Sequence, residues 1–159
     1  MSDDSGKVLG IRLRFPDGRK LAVPGGREGL FIPQGLAYSG PLLVAEGPTD
    51  TAALLDLGYE AIGRPCCTGG VGHCIEIVRG HQPLAVVIVA DADAPGQRGA
   101  EALATAILPY AASVRVIQPP EGVKDAREWK RVGGTQADVS AAIEAAVGRH
   151  LSVKVVRHG

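Results

Sequence analysis

The sequence predicts an α/β protein in which helices cover both faces of a mainly parallel central sheet, preceded by an N-terminal β-hairpin. Residues 84–90 form an unbroken apolar run, too short for a membrane span and bounded by Pro83 and Pro95, which is typical of a strand buried on both faces. From Pro41 onward, short apolar segments alternate with helical segments of about ten residues, and this alternation favours parallel pairing. Before Pro41, a two-residue periodicity indicates the hairpin.

The hairpin and a connecting segment make up residues 1–40, and we expect the main domain to occupy residues 41–159. Apolar side chains alternate with Arg12 and Arg14, and a Pro-Asp-Gly turn at 16–18 precedes a return strand over 19–23. Residues 24–39 predict an irregular connection held by one apolar plug at 29–33. The arginines lie either on a solvated sheet face or on a small surface that contacts phosphates, and the pattern leaves both open.

The main domain is predicted to contain four strands before its C-terminal segment, at 42–45, 61–62, 84–90 and 114–117. Helices are expected at 48–57, around 71–78, at 97–108, at 126–131 and from Thr135 to about 147. Pro48 at a first turn, Gly58 beyond a last turn and the capping residue Thr135 supply the end signals. A closing strand is expected over 151–156.

Composition limits the classes of function. The chain has 159 residues, 45% hydrophobic and 21% charged, which suits one globular domain. Seventeen basic and seventeen acidic residues cancel, so any polyanion must be bound by a local patch. The polar start carries no signal peptide and no segment is long enough to span a membrane, so we expect a cytoplasmic protein with reduced cysteines.

Acidic residues follow two of the predicted strands. Glu46 directly follows the first strand of the main domain, and Asp50 lies in the first turn of the next helix. Asp91 and Asp93 follow the central strand, and residues two apart in an extended segment point the same way. If the two strands are neighbours, these carboxylates face one cleft, where they require a cation or a raised pKa. Oxygen ligands favour Mg²⁺ or Mn²⁺ over zinc.

These motifs resemble the Toprim domain shared by topoisomerases and bacterial-type primases. Glu46-Gly-Pro-Thr-Asp50 and Asp91-Ala-Asp93-Ala-Pro-Gly96 match its two acidic strand ends, and the order and spacing are closest to the primase branch. The segment 116–129, which contains Lys124-Asp125, is similar to the strand, Pro-containing loop and Lys-Asp pair of that branch. The resemblance covers about residues 42–131 and points to a primase-like protein of a phage, plasmid or mobile element.

The resemblance implies a Mg²⁺-dependent nucleotidyltransferase that acts in DNA replication. In this interpretation Glu46 is catalytic, Asp91 and Asp93 bind Mg²⁺ or Mn²⁺, and Asp50 and Asp125 are supporting ligands. Nucleotides or nucleic acid are expected to contact a set of basic side chains: Lys124, Arg98, Arg12 and Arg14. The implied partners are DNA, nucleoside triphosphates, and a replicative helicase or other primase domains. Two departures are the absence of a zinc module and template-gripping subdomain, and Arg127 at a position where primases commonly carry another acid.

Several alternatives stay open at this stage. The same acids serve a Toprim nuclease equally well, because nothing in them distinguishes a sugar hydroxyl from water. A non-catalytic module that binds nucleotide, nucleic acid or a protein partner fits the zero net charge. A haloacid-dehalogenase type of phosphatase is disfavoured, because that class carries its acid pair near the start of the domain. The segment 66–74 gathers three cysteines and a histidine, but lacks the spacing of a zinc site.

Overall fold

The computed structural model describes residues 1–152 of the chain. Six strands are present in this part, in two sheets: β1 (Arg12–Arg14), β2 (Lys20–Ala22), β3 (Pro41–Glu46), β4 (Glu60–Arg64), β5 (Ala85–Val89) and β6 (Val114–Ile117). Five helices accompany them: α1 (Gly47–Asp56), α2 (Val71–His81), α3 (Ala94–Ile107), α4 (Ala126–Arg131) and α5 (Gln136–Ala145).

The central sheet has four parallel strands in the order β4-β3-β5-β6. Its two middle strands, β3 and β5, pair with Leu43 opposite Val87 and Val44 opposite Ile88. Both strands are nearly continuous in buried aliphatic residues, as expected for strands covered on both faces. The sequence left open whether the two acid-bearing strands are neighbours, and the register shows that they are.

Two hydrophobic cores lie on opposite faces of this sheet. On one face, Val44 and Ile88 pack against residues of α2 and α3, among them Ile77 and Leu103. On the other face, Leu43 and Val87 pack with residues of α1, α4 and α5, among them Leu54, Trp129 and Val139. The sandwich of helices around a parallel sheet agrees with the predicted fold class.

The N-terminal hairpin is shorter and more exposed than the periodicity predicted. β1 and β2 have three residues each, and every residue in them is exposed. Leu13 and Leu21 keep 46% and 50% of their accessible surface, so the expected buried face of the hairpin is absent. The apolar plug is confirmed, because Leu30 is fully buried in the core that contains α2 and α3. Phe31 forms an antiparallel bridge to Gly63, with N···O distances of 2.8 and 2.9 Å in the two directions.

Most helix boundaries lie near the local end signals, but α3 begins at Ala94, three residues before its predicted start, because Asp93 is its N-cap. The segments at 114–117 and 126–131 have their predicted bounds, and Thr135 forms a reciprocal capping box with Asp138 at the start of α5. α5 ends at Ala145, two residues earlier than predicted, and Arg149 then pairs with Val114 at the edge of β6. Most of the strand expected over 151–156 lies outside the described residues. Within them, no helix is both long and apolar enough to cross a bilayer.

Candidate functional site

A cleft of about 350 Å³ lies at the carboxyl ends of β3 and β5, where parallel sheets commonly bind ligands. Five carboxylates line it, contributed by Glu46, Asp50, Asp91, Asp93 and Asp125. Five basic side chains line the same cleft: Arg12, Arg14, Lys20, Lys124 and Arg127. The hairpin thus contributes basic residues to one wall of the cleft, and the ends of the sheet strands contribute acidic residues. Such a cleft can receive a ligand that carries both phosphates and metal ions.

The turn between β3 and α1 sets the position of Glu46. Gly47 has φ +81°, a conformation that favours glycine, and it allows the helix to begin directly after the strand. Gly63 on β4 permits this turn to lie close, because a Cβ atom at Gly63 would be 2.8 Å from the Gly47 carbonyl oxygen. Glu46 is partly exposed. Its carboxylate accepts no hydrogen bond from the described residues and is therefore available to a ligand.

Asp50 connects the first turns of two helices. It lies in the first turn of α1 and is 8% exposed. Its Oδ1 accepts a hydrogen bond from the backbone N–H of Arg127 in α4 at 3.0 Å, and Oδ2 accepts a longer one from the Thr49 hydroxyl. Burial raises the pKa of Asp50, although the Arg127 hydrogen bond acts in the opposite direction. Asp50 therefore supports the cleft from within the fold.

Asp91 and Asp93 follow β5 and have different surroundings. Asp93 is the N-cap of α3, and its Oδ1 accepts the Gly96 amide at 2.8 Å. Asp91 is half-buried and accepts no hydrogen bond from the described residues. Gly96 allows α3 to approach this side chain, because a Cβ at Gly96 would be 2.7 Å from the Asp91 Cβ. The helix start therefore fixes Asp93 and encloses Asp91.

A second loop carries Lys124 and Asp125 to the cleft. The Ala92 amide donates to the Lys124 carbonyl oxygen at 2.8 Å, which joins the loop after β5 to the loop after β6. Asp125 caps α4 by accepting the Glu128 amide at 2.7 Å. The Lys124 amide donates to the Glu128 carboxylate at 2.9 Å, and Lys124 lines the cleft. These contacts hold both residues on the acidic wall.

Asp91 is the acid of the cleft whose pKa is most strongly affected by its surroundings. Burial, together with the neighbouring carboxylates of Glu46, Asp50, Asp125 and Asp93, raises the pKa of Asp91 to about 7. At neutral pH, the protonated and the ionised forms of this carboxyl group are therefore both populated. Either a proton or a bound cation relieves the repulsion, which agrees with the expectation from sequence that the acids require one of the two.

Comparison with known proteins supplies structural neighbours only. No family model matches the sequence, and no curated protein matches it. The solved structure of a DnaG catalytic core superposes with a TM-score of 0.73 at 25% identity, over 93% of this chain and 52% of that one. The E. coli primase catalytic core gives 0.72 at 23% identity, over 93% and 51%. The primase fragment of the bacteriophage T7 primase-helicase gives 0.70 at 18% identity, over 89% and 59%.

The chain has the Toprim-containing fold of primase catalytic cores. The predicted resemblance is confirmed at the level of the fold, and the chain spans about half the length of the DnaG and E. coli cores it matches. One primase in the group was solved bound to single-stranded DNA. Another was solved as T7 primase domains with a polymerase, an RNA/DNA hybrid and dTTP.

The primase fold brings together eight of the nine site residues predicted from sequence. All five acids, together with Lys124, Arg12 and Arg14, line the cleft. Arg98 is the exception: it is exposed on the second turn of α3 and does not line the cleft. The roles of all nine remain predictions. Lys20, Arg127 and Phe31 also line the cleft without having been predicted as site residues. Lys20 and Phe31 lie far in sequence from the acids, and Arg127 was noted only as a departure from the primase pattern.

The donor set of the primase-like cleft fits a hard divalent cation. Its five acids offer only oxygen ligands, and Asp93 and Asp125 each use just one carboxylate oxygen in capping a helix. Among the described residues, no three His, Cys, Asp or Glu side chains are close enough to form a coordination group by themselves. This arrangement suits Mg²⁺, which commonly keeps several water ligands and binds through one or two carboxylates together with substrate phosphates.

Proposed function

We propose that this chain is the Toprim domain of a primase-like protein, and that its acidic cleft binds Mg²⁺ or Mn²⁺ for nucleotidyl transfer on nucleic acid. In the complete system the reaction would be DNA-templated synthesis of a primer, with other domains contributing to the activity. The observation that carries the proposal is the convergence of Glu46, Asp91 and Asp93 in one cleft with the hairpin cations. The primase fold of the chain supports it.

The opposed charges of the cleft suit a triphosphate and a nucleic-acid strand. Arg12 is anchored by its Nη1, which donates to the Pro65 carbonyl oxygen at 2.8 Å, and Arg14 and Lys20 lie beside it on the hairpin. These three side chains and Lys124 would bind phosphate oxygens as fixed positive charges. The substrate would then lie between the hairpin and the acids, with its reacting groups at the carboxyl end of the sheet.

The reaction forms a bond between a 3′ hydroxyl oxygen and an α-phosphorus atom, and pyrophosphate leaves. The cation, when bound, would neutralise phosphate charge and orient the reacting oxygens. Asp91 and Asp93 would hold it, with Asp50 and Asp125 in support. Glu46, whose carboxylate has no protein donor, would accept the hydroxyl proton. Lys124 would hold the leaving phosphates on the opposite side.

The biological setting is a further part of this proposal. Its support is the primase resemblance in the acidic motifs and the zero net charge, which leaves nucleic-acid binding to the local hairpin patch. We expect a cytoplasmic protein of a mobile element that works on DNA with nucleoside triphosphates. Its proposed protein partners are a replicative helicase and other primase domains.

The first test is Mn²⁺ and Mg²⁺ binding by calorimetry. The intact chain is compared with the double variant Asp91→Asn, Asp93→Asn and with Glu144→Gln, an exposed acid on α5 outside the cleft. We expect the double variant to lose binding and Glu144→Gln to bind as the intact chain does. Binding that persists in the double variant would place the cation elsewhere and contradict the proposal.

The second test is primer synthesis and extension with nucleoside triphosphates, with and without helicase. Glu46→Gln and Asp91→Asn should each abolish activity, and Glu144→Gln should retain it. Activity that survives both cleft variants would exclude this mechanism. Mn²⁺-dependent nicking without extension would instead identify a nuclease. Cation binding without turnover on any substrate would identify a binding module.

A further inference from the structure

Arg64, the last residue of β4, is a buried cation beneath the acidic cleft. It is 4% exposed, and the described residues include no carboxylate within ion-pair distance of it. Its guanidinium donates to two backbone carbonyl oxygens, from Nε to Gly69 at 2.8 Å and from Nη1 to Gly99 at 3.4 Å. A guanidinium carries five N–H donors, of which these bonds use two, and no carboxylate among the described residues pairs with its charge.

Strand register places Arg64 beside Glu46. The two residues are direct partners in the parallel pairing of β3 and β4. Val44 and Ile62, two positions earlier on each strand, face the core formed with α2 and α3. Because side chains alternate along a strand, Glu46 and Arg64 extend from that same face, on strands about 4.8 Å apart. Glu46 opens to the cleft, whereas Arg64 lies below it.

A small cavity of about 20 Å³ connects Arg64 to two of the acids. Arg64, Glu46 and Asp91 line it, together with Cys67 and with small and apolar residues of β3, of α3 and of the segment that contains β5. Its volume is sufficient for one water molecule, and these three side chains supply enough polar partners to bind one. The nearby Cys74 thiol cannot act as the counter-charge, because burial raises its pKa to about 12 and keeps it neutral.

We propose that Arg64 is a positioning residue for Glu46 and Asp91. From beneath the cleft it orients the two carboxylates through the small cavity and offsets part of their mutual repulsion, so the unliganded cleft keeps both acids in place. This inference rests on the proposed function only in naming Glu46 as the catalytic residue and Asp91 as a metal ligand. The simpler interpretation is that Arg64 only ties the loop before α2 to α3, through the carbonyl oxygens of Gly69 and Gly99.

A double-mutant cycle in metal-free buffer separates the two interpretations. Urea unfolding at pH 8 with EDTA compares Arg64→Met in the native background with Arg64→Met in the Glu46→Gln, Asp91→Asn background. If Arg64 interacts with the acids, Arg64→Met should lower the urea midpoint at least twice as much in the native background as in the background where both acids are neutral. The reason is that in the neutral background the guanidinium has no charged partners to lose. An equal loss in both backgrounds would overturn the proposal.

Two further comparisons keep the result interpretable. Asp125→Asn serves as the matched background, because Asp125 lines the cleft but not the small cavity, and there the loss caused by Arg64→Met should be undiminished. If Arg64→Met does not fold, Arg64→Lys and Arg64→Gln replace it. Arg64→Lys should keep most of the coupling to the acids and Arg64→Gln should lose it, whereas equal coupling in both would refute the proposal. The measurement uses neither metal nor nucleotide. The proposed role of Arg64 can therefore be refuted while the proposed function stands, and the proposed function can be refuted while the role of Arg64 stands.

Discussion

The backbone amide of Arg127 and the Asp50 carboxylate are joined by a hydrogen bond of 3.0 Å, which links the start of α4 to the first turn of α1. The two residues are 77 positions apart in sequence, and both line the cleft. One carboxylate therefore holds two walls of the cleft together. The Toprim resemblance predicts Asp50 as a supporting ligand, and the structure shows that Asp50 also has this architectural role.

Replacing Asp50 should lower the free energy of unfolding by an amount that depends on whether the new side chain can still accept the Arg127 hydrogen bond. Asp50→Ala leaves the partly buried Arg127 amide without its partner, at a cost of about 1–3 kcal/mol in the free energy of unfolding. Asp50→Asn keeps an acceptor oxygen and should cost less than about 1 kcal/mol. Urea unfolding in EDTA measures both. Equal stability of Asp50→Ala and the native chain would show that the hydrogen bond contributes nothing.

The raised pKa of Asp91 predicts how stability depends on pH. Because the folded state binds this proton more tightly than the unfolded state, with a pKa of about 7 against an ordinary value of 3.8, the stabilising contribution is complete below about pH 4 and is lost as pH rises through 7. Asp91→Asn removes that loss. Allowing for solvent screening of a half-buried group, we expect the variant to exceed the native chain by about 1–2 kcal/mol at pH 8 in EDTA.

The same comparison at other conditions provides the control. The difference between Asp91→Asn and the native chain should shrink steadily as pH falls from 8 to 4, as followed by urea unfolding. Saturating Mn²⁺ at pH 8 should stabilise the native chain and leave the variant almost unchanged. A stability difference that is constant with pH would contradict the assignment of Asp91 as the titrating group.

Gly96 should not tolerate a side chain. In Gly96→Ala the new Cβ would meet the Asp91 Cβ at 2.7 Å, so the start of α3 must move away from the acids. We expect a loss of about 1–3 kcal/mol in stability together with weaker Mn²⁺ binding. Gly80→Ala is the matched control: this position lies in α2 with open space around it, and alanine should stabilise the helix by about 0.5–1 kcal/mol. Similar effects at both positions would rule out the crowding at Asp91 as the cause.

The hairpin cations should govern salt-dependent binding of single-stranded DNA. Arg14→Gln and Lys20→Gln each remove one charge that lines the cleft, so each should weaken binding and reduce the slope of log K against log salt by about 0.7. Arg19→Gln is the control, because Arg19 is on the same hairpin but pairs with Asp17 and does not line the cleft. Fluorescence anisotropy at several salt concentrations measures the slopes. If Arg19→Gln has the same effect as the other two, the cleft does not define the binding surface.

Local signals allowed much of the fold to be predicted. The strand at 114–117 and the helix at 126–131 were correct at both ends, and Thr135 marked the start of α5 through its own hydrogen bonds. The hairpin was less well predicted. Alternation along residues 8–15 shows which side chains share a face but not whether another layer covers that face, and Leu13 is in fact exposed.

Glu46, Asp91 and Asp93 were accessible from sequence because each follows a strand, whereas Asp125 was included only through the Toprim resemblance. Their convergence followed once β3 and β5 were taken as neighbours, which the register confirms. Arg64 and Lys20 were not identified as site residues. Arg64 is brought below Glu46 by pairing between strands, and Lys20 reaches the cleft only through the folding of the hairpin over the sheet. Contacts of this kind depend on tertiary structure and leave no local pattern.

The bridge between Phe31 and Gly63 has a consequence for any attempt to isolate the sheet. β4 is an outer strand of the central sheet, and the segment around Phe31 occupies part of its free side. A fragment that begins at residue 41 would leave these backbone groups of β4 unpaired and remove the buried Leu30 side chain from the core. Unpaired backbone groups at a strand edge form hydrogen bonds with strands of other chains, so such a fragment should self-associate. The segment before Pro41 is thus expected to prevent aggregation, in addition to carrying the basic residues of the cleft.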